Sequence, residues 1–268
     1  MLQEAIDFKE ESDVLYGLLS TLEDADFAQP TQFKGWTLND VLEHLHMWNW
    51  AANESHADEA NFVAFLQDVM GSAADGGMKA YERKWINGLS GRALLEAWHT
   101  FYTDMSARFT QIDPKKRLKW AGPDMSARSS ITARLMETWA HGQEVYDHLG
   151  VERADHDRIK NIAHLGVSTF GWTYQVRRME LPPAAPFVRL TAPSGAVWTW
   201  GEASAANSVA GSATEFCQVV TQVRNVADTK LVVRGPVATQ WMGMAQCFAG
   251  AAEPPPAPGS RFRKARAA

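Results

Sequence analysis

Cysteine is scarce in this chain of 268 residues, which contains only Cys217 and Cys247. Two cysteines this far apart do not form a metal site by themselves, and buried free thiols are typical of a reducing compartment. No apolar run approaches the length of about 20 residues that a membrane-spanning helix needs. The N-terminal segment 1–13 is acidic, without the basic and apolar stretches of a secretion signal. The sequence therefore predicts a cytoplasmic protein with no membrane association.

Basic residues are fewer than acidic residues. The chain has 26 lysines and arginines against 31 acidic residues, and its formal net charge is -5. A dedicated nucleic-acid-binding protein usually has a basic surface, so we expect no nucleic-acid partner. Hydrophobic residues at 46% and charged residues at 21% are ordinary for a globular protein. No feature of the sequence indicates the oligomeric state.

The spacing of apolar residues changes near residue 180. Before it, helical spacing dominates, and Thr37 followed three residues later by Asp40 is a pattern typical of a capped helix start. After the proline-rich segment 181–186, short strands and helices are expected, with a hairpin turn at 193–195. We therefore predict an α+β protein in three parts. They are a helical bundle over 1–180, a small α/β domain over 181–250 and a disordered tail over 251–268.

Histidines and acidic residues at helical spacing are the candidates for chemistry. Glu137 and His141 are four residues apart on a predicted helix, which brings both side chains to one face. A carboxylate oxygen and an imidazole nitrogen placed in this way can bind one cation. His44, on the expected core-facing stripe of an earlier helix, could supply a third ligand. Two histidines and one carboxylate leave a coordination position open, as in catalytic zinc sites.

Spacing alone leaves other assignments open. Glu144 and His148 have the same separation as the first pair, although a histidine in the last turn of a helix is also favoured by the helix dipole. His46 is a rival to His44, and its rotation of about 200° around the helix predicts that it faces solvent.

Two segments resemble the DinB/YfiT-like superfamily of metalloenzymes, and more closely the branch that contains mycothiol-dependent maleylpyruvate isomerase. Segment 35–45 reads Gly-Trp-Thr-Leu-Asn-Asp-Val-Leu-Glu-His-Leu, and segment 134–145 contains the pattern Glu-x-x-x-His. The resemblance implies an N-terminal DinB-like four-helix bundle with a small C-terminal α/β domain. It also implies that the metal ligands are His44, Glu137 and His141.

The same resemblance implies a function. The protein would be a metal-dependent enzyme, with zinc as the expected metal and nickel, iron or manganese as alternatives that a mixed nitrogen and oxygen site accepts. It would use a low-molecular-weight thiol as an isomerase or S-transferase acting on a small anionic substrate. Arg224 is the candidate for holding that substrate. Trp36 and Trp48 are candidates for lining the pocket.

Two other functions stay open. A metal-dependent hydrolase would use the same three ligands. A non-catalytic small-molecule-binding protein would use the metal as a structural pin between helices. Structural zinc sites usually have four protein ligands, so a fourth ligand from His46 or His148 would favour this last alternative.

Overall fold

The computed structural model describes residues 1–72, 76–203 and 206–265. The chain divides into two compact units, Met1–Val145 and Tyr146–Ala268. Within the described residues, no helix is both long and apolar enough to cross a lipid bilayer. The cytoplasmic location stays a prediction.

The first unit consists of helices and one short hairpin. Its helices are α1 (Gln3–Leu19), α2 (Leu38–Ala57), α3 (Glu59–Gly71), α4 (Gly77–Ile86), α5 (Gly91–Phe109) and α6 (Ala127–Leu149), and the last turn of α6 continues into the second unit. Strands β1 (Arg117–Leu118) and β2 (Met125–Ser126) form an antiparallel hairpin before α6.

The four long helices α1, α2, α5 and α6 form the predicted bundle. Helix α5 packs against α1 and α2, while α3 and α4 pack against α2. Helix α6 contacts α2 through a buried hydrogen bond of 2.9 Å from Arg134 Nε to Asn49 Oδ1. Large apolar side chains fill the interior, among them Phe8, Leu15, Leu45, Trp98, Leu135 and Trp139. Each such side chain contributes about 1.5–3 kcal/mol when fully buried.

Helix α2 begins where the sequence predicts, with a capping box. Asp40 N donates to Thr37 Oγ1 at 3.1 Å, and Thr37 N donates to Asp40 Oδ2 at 2.7 Å. The same carboxylate contacts Lys79 Nζ and Arg83 Nη2 of α4, each at 2.9 Å. Burial raises the pKa of Asp40, but its hydrogen bonds with Lys79, Thr37 and Arg83 outweigh burial and lower it below its ordinary value. The start of α2 is thereby tied to α4.

The second unit contains a four-stranded mixed sheet with helices. Its elements are α7 (Lys160–Ser168), α8 (Phe170–Gln175), β3 (Phe187–Thr191), β4 (Val197–Trp200), β5 (Ser208–Ser212), α9 (Ala213–Val220), β6 (Val232–Arg234) and α10 (Pro236–Met242). The strand order is β4-β3-β5-β6, in which β3 pairs antiparallel with β4 and parallel with β5. The hairpin at 193–195 and the α+β class are confirmed.

The sequence predicted that the helical bundle ends at residue 180, but the boundary between the units lies earlier, after Val145. The reason is that α7 packs against α9 of the second unit. Gly166 permits this approach, since a Cβ at that position would lie 2.7 Å from Val220 Cγ2 and 3.1 Å from Phe216 Cε1. In α8, Phe170 meets Trp241 edge to face, with ring centroids 5.3 Å apart. The helical segments after residue 150 therefore belong to the C-terminal core, although their spacing alone resembled a continuation of the bundle.

Segment 251–265 has no helix or strand, yet it is hydrogen-bonded to the second unit, where the sequence predicted a disordered tail. Arg177 Nη2 donates to Glu253 O at 2.6 Å, and Asn225 Nδ2 donates to Pro256 O at 2.8 Å. Backbone carbonyls accept hydrogen bonds whatever their side chains, so composition does not reveal these contacts. The last three residues of the chain lie outside the described range.

We predict that Gly166→Ala destabilises the second unit by about 1–3 kcal/mol, because the added methyl group overpacks its contact with α9. Gly171→Ala is the matched control in α8. Its Cβ would meet nothing nearer than Leu181 Cδ2 at 3.9 Å, so its free energy of unfolding should stay equal or rise by up to about 1 kcal/mol. Urea unfolding of the full chain measures both. Equal stabilities for the two variants would contradict the packing described.

Candidate metal centre

Helices α2 and α6 bring the three predicted ligands together. His44 Nε2 lies 3.4 Å from Glu137 Oε2, and His141 Nε2 lies 3.3 Å from the same oxygen. The two imidazole centroids are 4.8 Å apart, with an interplanar angle of 62°. One ligand atom from each of the three residues lies within 4.8 Å of the other two. Two nitrogens and one oxygen thus face a common point.

These distances fit one tetrahedral cation. Zinc bonds of about 2.0–2.2 Å at tetrahedral angles place neighbouring ligand atoms about 3.3–3.6 Å apart. The observed distances of 3.4 and 3.3 Å fall in this range, and they exceed the spacing of about 2.9–3.0 Å most common for N–H···O hydrogen bonds. Across the described part of the chain, these three residues form the group of histidine, cysteine and acidic side chains suited to a metal ion. The donor set therefore fits a divalent cation.

Burial and charge set the protonation of the group. For Glu137, burial raises the pKa, but hydrogen bonds with His141 and His44 lower it well below its ordinary value. For His44, burial lowers the pKa, but the charge of Glu82 and the hydrogen bonds with Glu137 and Glu82 raise it to about 9. Burial lowers the pKa of His141. Near neutral pH, Glu137 is ionised, His141 is neutral and His44 carries the proton that a cation would have to displace.

Glu82 is a partner of His44 that the sequence analysis missed. Its Oε1 lies 2.7 Å from His44 Nδ1, and its carboxylate is 1% exposed. It was missed because no helix was predicted where α4 lies. The recurrence of Tyr81 and Trp85 four residues apart, next to Glu82 and Ile86 at the same spacing, was the available signal for this helix.

An aromatic turn covers His141. Trp36 stacks on its imidazole with centroids 5.4 Å apart and planes at 4°, and Phe33 meets the ring edge to face at 5.2 Å. Trp36 N donates to Phe33 O at 2.8 Å, closing a four-residue turn. Its central residues Lys34 and Gly35 have φ of 50° and 69°, as in a type I′ turn, which favours glycine. In the Gly-Trp pair, the glycine therefore allows the turn, and the tryptophan that follows it is placed against His141.

Trp48 lies farther from His44 than Trp36 does. The ring centroids are 6.3 Å apart for Trp48 and His44 and 5.4 Å apart for Trp36 and His44. It is buried against Phe65 and Trp120, at 6.0 and 5.6 Å. Pocket lining by Trp48 stays a prediction, and the observed contacts are those of a core residue.

Neither rival histidine joins the group. His46 was expected to face solvent, and this expectation was wrong: its ring packs between Trp85 and Phe101, with centroids 5.7 and 5.5 Å away. Burial lowers its pKa to about 4, and its buried Nδ1 has no hydrogen-bond partner among the residues that the structure describes. Aromatic residues of α4 and α5 cover that side of α2. His148 Nδ1 lies 3.0 Å from Lys264 Nζ in the second unit.

Arg224 is paired within the second unit. Its Nη1 and Nη2 each lie 2.7 Å from a different carboxylate oxygen of Asp147. The contact through Nη2 is a charge-assisted hydrogen bond, and the contact through Nη1 is a close ion pair. A role for Arg224 in holding substrate stays a prediction.

A helical bundle in which two histidines and a glutamate converge from facing helices, with a candidate metal site between them, agrees with the DinB-like superfamily that the sequence resembles. A family model described as the mycothiol maleylpyruvate isomerase N-terminal domain matches residues 8–146, which include all three candidate ligands. The chain therefore belongs to this family.

The chain is also similar to uncharacterized relatives and to two solved structures. An uncharacterized protein of Mycobacterium tuberculosis, found in two strains, is 38% identical over 245 residues, covering 91% of this chain and 94% of the relative. The crystal structure of the mycothiol-dependent maleylpyruvate isomerase has a TM-score of 0.53 at 15% identity, covering 86% of this chain and 91% of that one. A histidine-to-alanine variant of that isomerase has a TM-score of 0.50 at 17% identity, covering 81% and 87%. At these identities, the two structures show the shared fold.

We predict that the protein, after exposure to zinc and dialysis, retains about one equivalent of zinc, as expected for one set of converging ligands. His44→Ala and His141→Ala should each lose most of it, because a single carboxylate with one imidazole binds zinc weakly. His46→Ala is the matched control and should retain the metal. Elemental analysis measures the metal content, and circular dichroism checks the fold. Retention by both ligand variants would contradict the site.

Zinc binding at pH 6.5 should release about one proton, since of the three ligands only His44 must lose one before it can coordinate. Protons are released rather than taken up because His44, with a pKa of about 9, is protonated at this pH, whereas the pKa values of Glu137 and His141 are lowered. Calorimetric titration in buffers of different ionisation enthalpy measures the number of protons. Binding without proton release would contradict the claim that Glu82 and Glu137 keep His44 protonated in the metal-free protein.

Proposed function

We propose that the protein is a divalent-metal-dependent enzyme, with zinc as the preferred metal, that uses a low-molecular-weight thiol and acts as an isomerase or an S-transferase on a small anionic substrate. The observation that carries this proposal is the convergence of His44, Glu137 and His141 at the spacing of one cation. Three protein ligands leave a coordination position open, as in catalytic zinc sites. The thiol is supported by the family, whose name refers to mycothiol.

The residues around the ligands suit this chemistry. A bound cation would supply a Lewis acid that lowers the pKa of a thiol held beside it. Trp36 and Phe33 present apolar rings on one side of His141, where they exclude water and leave the charged groups less screened. The helices α2 and α6 hold the ligands on regular backbone, which positions them more precisely than loops do.

Charge at the centre favours an anionic partner. Arg134 is 1% exposed and lies one helical turn before Glu137. Burial lowers its pKa to about 10, while the charge of Glu137 favours the charged form, so the guanidinium is positive at neutral pH. A divalent cation together with the positive charge of Arg134 would exceed the two negative charges of Glu137 and Glu82. The centre would then carry a net positive charge. A thiolate or a carboxylate complements that charge.

The non-catalytic alternative finds less support. A structural pin would need a fourth protein ligand, and the two histidines that could have supplied it contact other groups. His46 packs between two aromatic rings, and His148 lies against Lys264.

A thiol panel tests the proposal. Zinc-loaded protein is mixed with mycothiol, glutathione or bacillithiol and with maleylpyruvate or related anionic electrophiles, and products are followed by absorbance and mass spectrometry. We expect turnover that requires both the metal and one thiol. His44→Ala should lower it by about 100-fold or more, since the Lewis acid is lost, whereas His46→Ala should keep it.

Two results would overturn the proposed reaction. Turnover that needs the metal but no thiol would indicate a hydrolase. Stoichiometric zinc without turnover of any substrate in the panel would favour the non-catalytic binding protein.

A further inference from the structure

The carboxylate of Glu82 is buried in a way that a simple ion pair does not explain. It is 1% exposed, and its Oε1 lies 2.7 Å from His44 Nδ1. Its Oε2 is also buried and has no hydrogen-bond partner among the described residues. Burying a carboxylate is costly unless its oxygens are well satisfied. In the part of the chain that the structure describes, the contact with His44 is the one hydrogen bond of this costly buried carboxylate, and it indicates that Glu82 acts by orienting that histidine.

The contact controls which nitrogen of His44 is available. An imidazole that donates its Nδ1–H has its lone pair on Nε2. In His44, Nε2 is the atom 3.4 Å from Glu137 Oε2. The carboxylate of Glu82 therefore selects the tautomer in which the lone pair points to the common centre. A negative charge on the far side of the ring also makes Nε2 a better donor.

Glu82 is itself held in place by its neighbours on α4. Lys79 and Arg83 of the same helix both contact Asp40 at the start of α2, at 2.9 Å. Both ion pairs end on Asp40, which lies one helical turn before His44 on α2, so they join the two helices one turn away from the Glu82 contact. This double attachment limits sliding of α4 along α2 and keeps Glu82 opposite Nδ1.

The two ligand imidazoles are thus oriented by different means. Stacking of Trp36 fixes the plane of His141, but it does not choose between its two nitrogens. The ring of Trp36 is tilted by 58° to that of His44, so stacking does not fix His44 in the same way. A directional hydrogen bond is what His44 requires.

We propose that Glu82 is a positioning residue of the metal centre: its carboxylate accepts the Nδ1–H hydrogen bond of His44 and thereby presents Nε2 to a divalent cation. This inference rests on the proposed function, because it requires a cation bound by His44, Glu137 and His141. It assigns a functional role to α4.

The test compares Glu82→Gln with the full-length wild type in zinc affinity, measured by competition with a chelator of known affinity. Glutamine keeps the size of the side chain and removes its charge. We expect the dissociation constant for zinc to rise about 10–100-fold, the range typical when a group that orients a metal ligand is lost. Urea unfolding of the metal-free proteins is measured in parallel, since a merely structural role would change stability without changing the zinc affinity of the folded protein.

Glu43→Gln is the matched control. Glu43 is a buried carboxylate on α2 beside His44, and its Oε2 also lacks a hydrogen-bond partner within the described structure. The substitution removes a carboxylate from the same neighbourhood. Because burial raises the pKa of Glu43 to about 7, all three proteins are compared well above that pH, where Glu43 is ionised. The zinc dissociation constant of Glu43→Gln should then stay within about threefold of the wild-type value, the effect expected of a charge that does not contact a ligand. Equal weakening by the two variants would overturn the specific role of Glu82.

A second readout follows the hydrogen bond itself. In zinc-loaded, ¹⁵N-labelled wild type, we expect the Nδ1–H proton of His44 far downfield, and we expect it to move upfield in Glu82→Gln. An unchanged resonance and an unchanged zinc affinity would overturn the inference while leaving the three-ligand site intact. Failure of the wild type to bind zinc at all would instead overturn the proposed function, and the inference with it.

Discussion

The carboxylate of Glu137 between two imidazoles is the contact on which the structure of the first unit depends. It joins α2 to α6 through distances of 3.4 and 3.3 Å to His44 and His141. Such a cluster is stable in the interior only if its charges are balanced. Glu82 and Arg134 carry the balancing charges, and both are almost wholly buried. The geometry at each member of this cluster therefore depends on the others.

Local chemistry explains what could be predicted from the sequence. The capping box of Thr37 and Asp40 satisfies backbone groups within one turn, so it forms wherever these residues occur at a helix start. Glu137 and His141 share a helix face because their separation is close to one helical turn. The hairpin between β3 and β4 likewise needs only its own residues. These features, together with the resemblance of two short segments, were sufficient to predict the bundle, the three candidate ligands and the family.

Features that depend on residues distant in the chain could not be predicted in the same way. The exposure of His46 depends on Trp85 and Phe101, which belong to other helices. The place of α7 in the second unit depends on the absence of a side chain at Gly166, where α9 approaches. Arg224 was considered for substrate binding, but its guanidinium pairs with Asp147, 77 residues away. None of these partners leaves a periodic signal in the sequence around the residue it contacts.

By itself, the sequence determined which side chains could act as ligands, because the spacing of residues on a helix decides which of them share a face. Helical spacing left both His44 and His46 open, and the family resemblance favoured His44. Only the tertiary structure showed that His44 lies against Glu137 and that a carboxylate from α4 lies behind it. The physical reason is that a ligand set needs atoms within a few ångströms of one point. Helical periodicity fixes direction along one helix, whereas the distance between helices is set by the packing of every side chain between them.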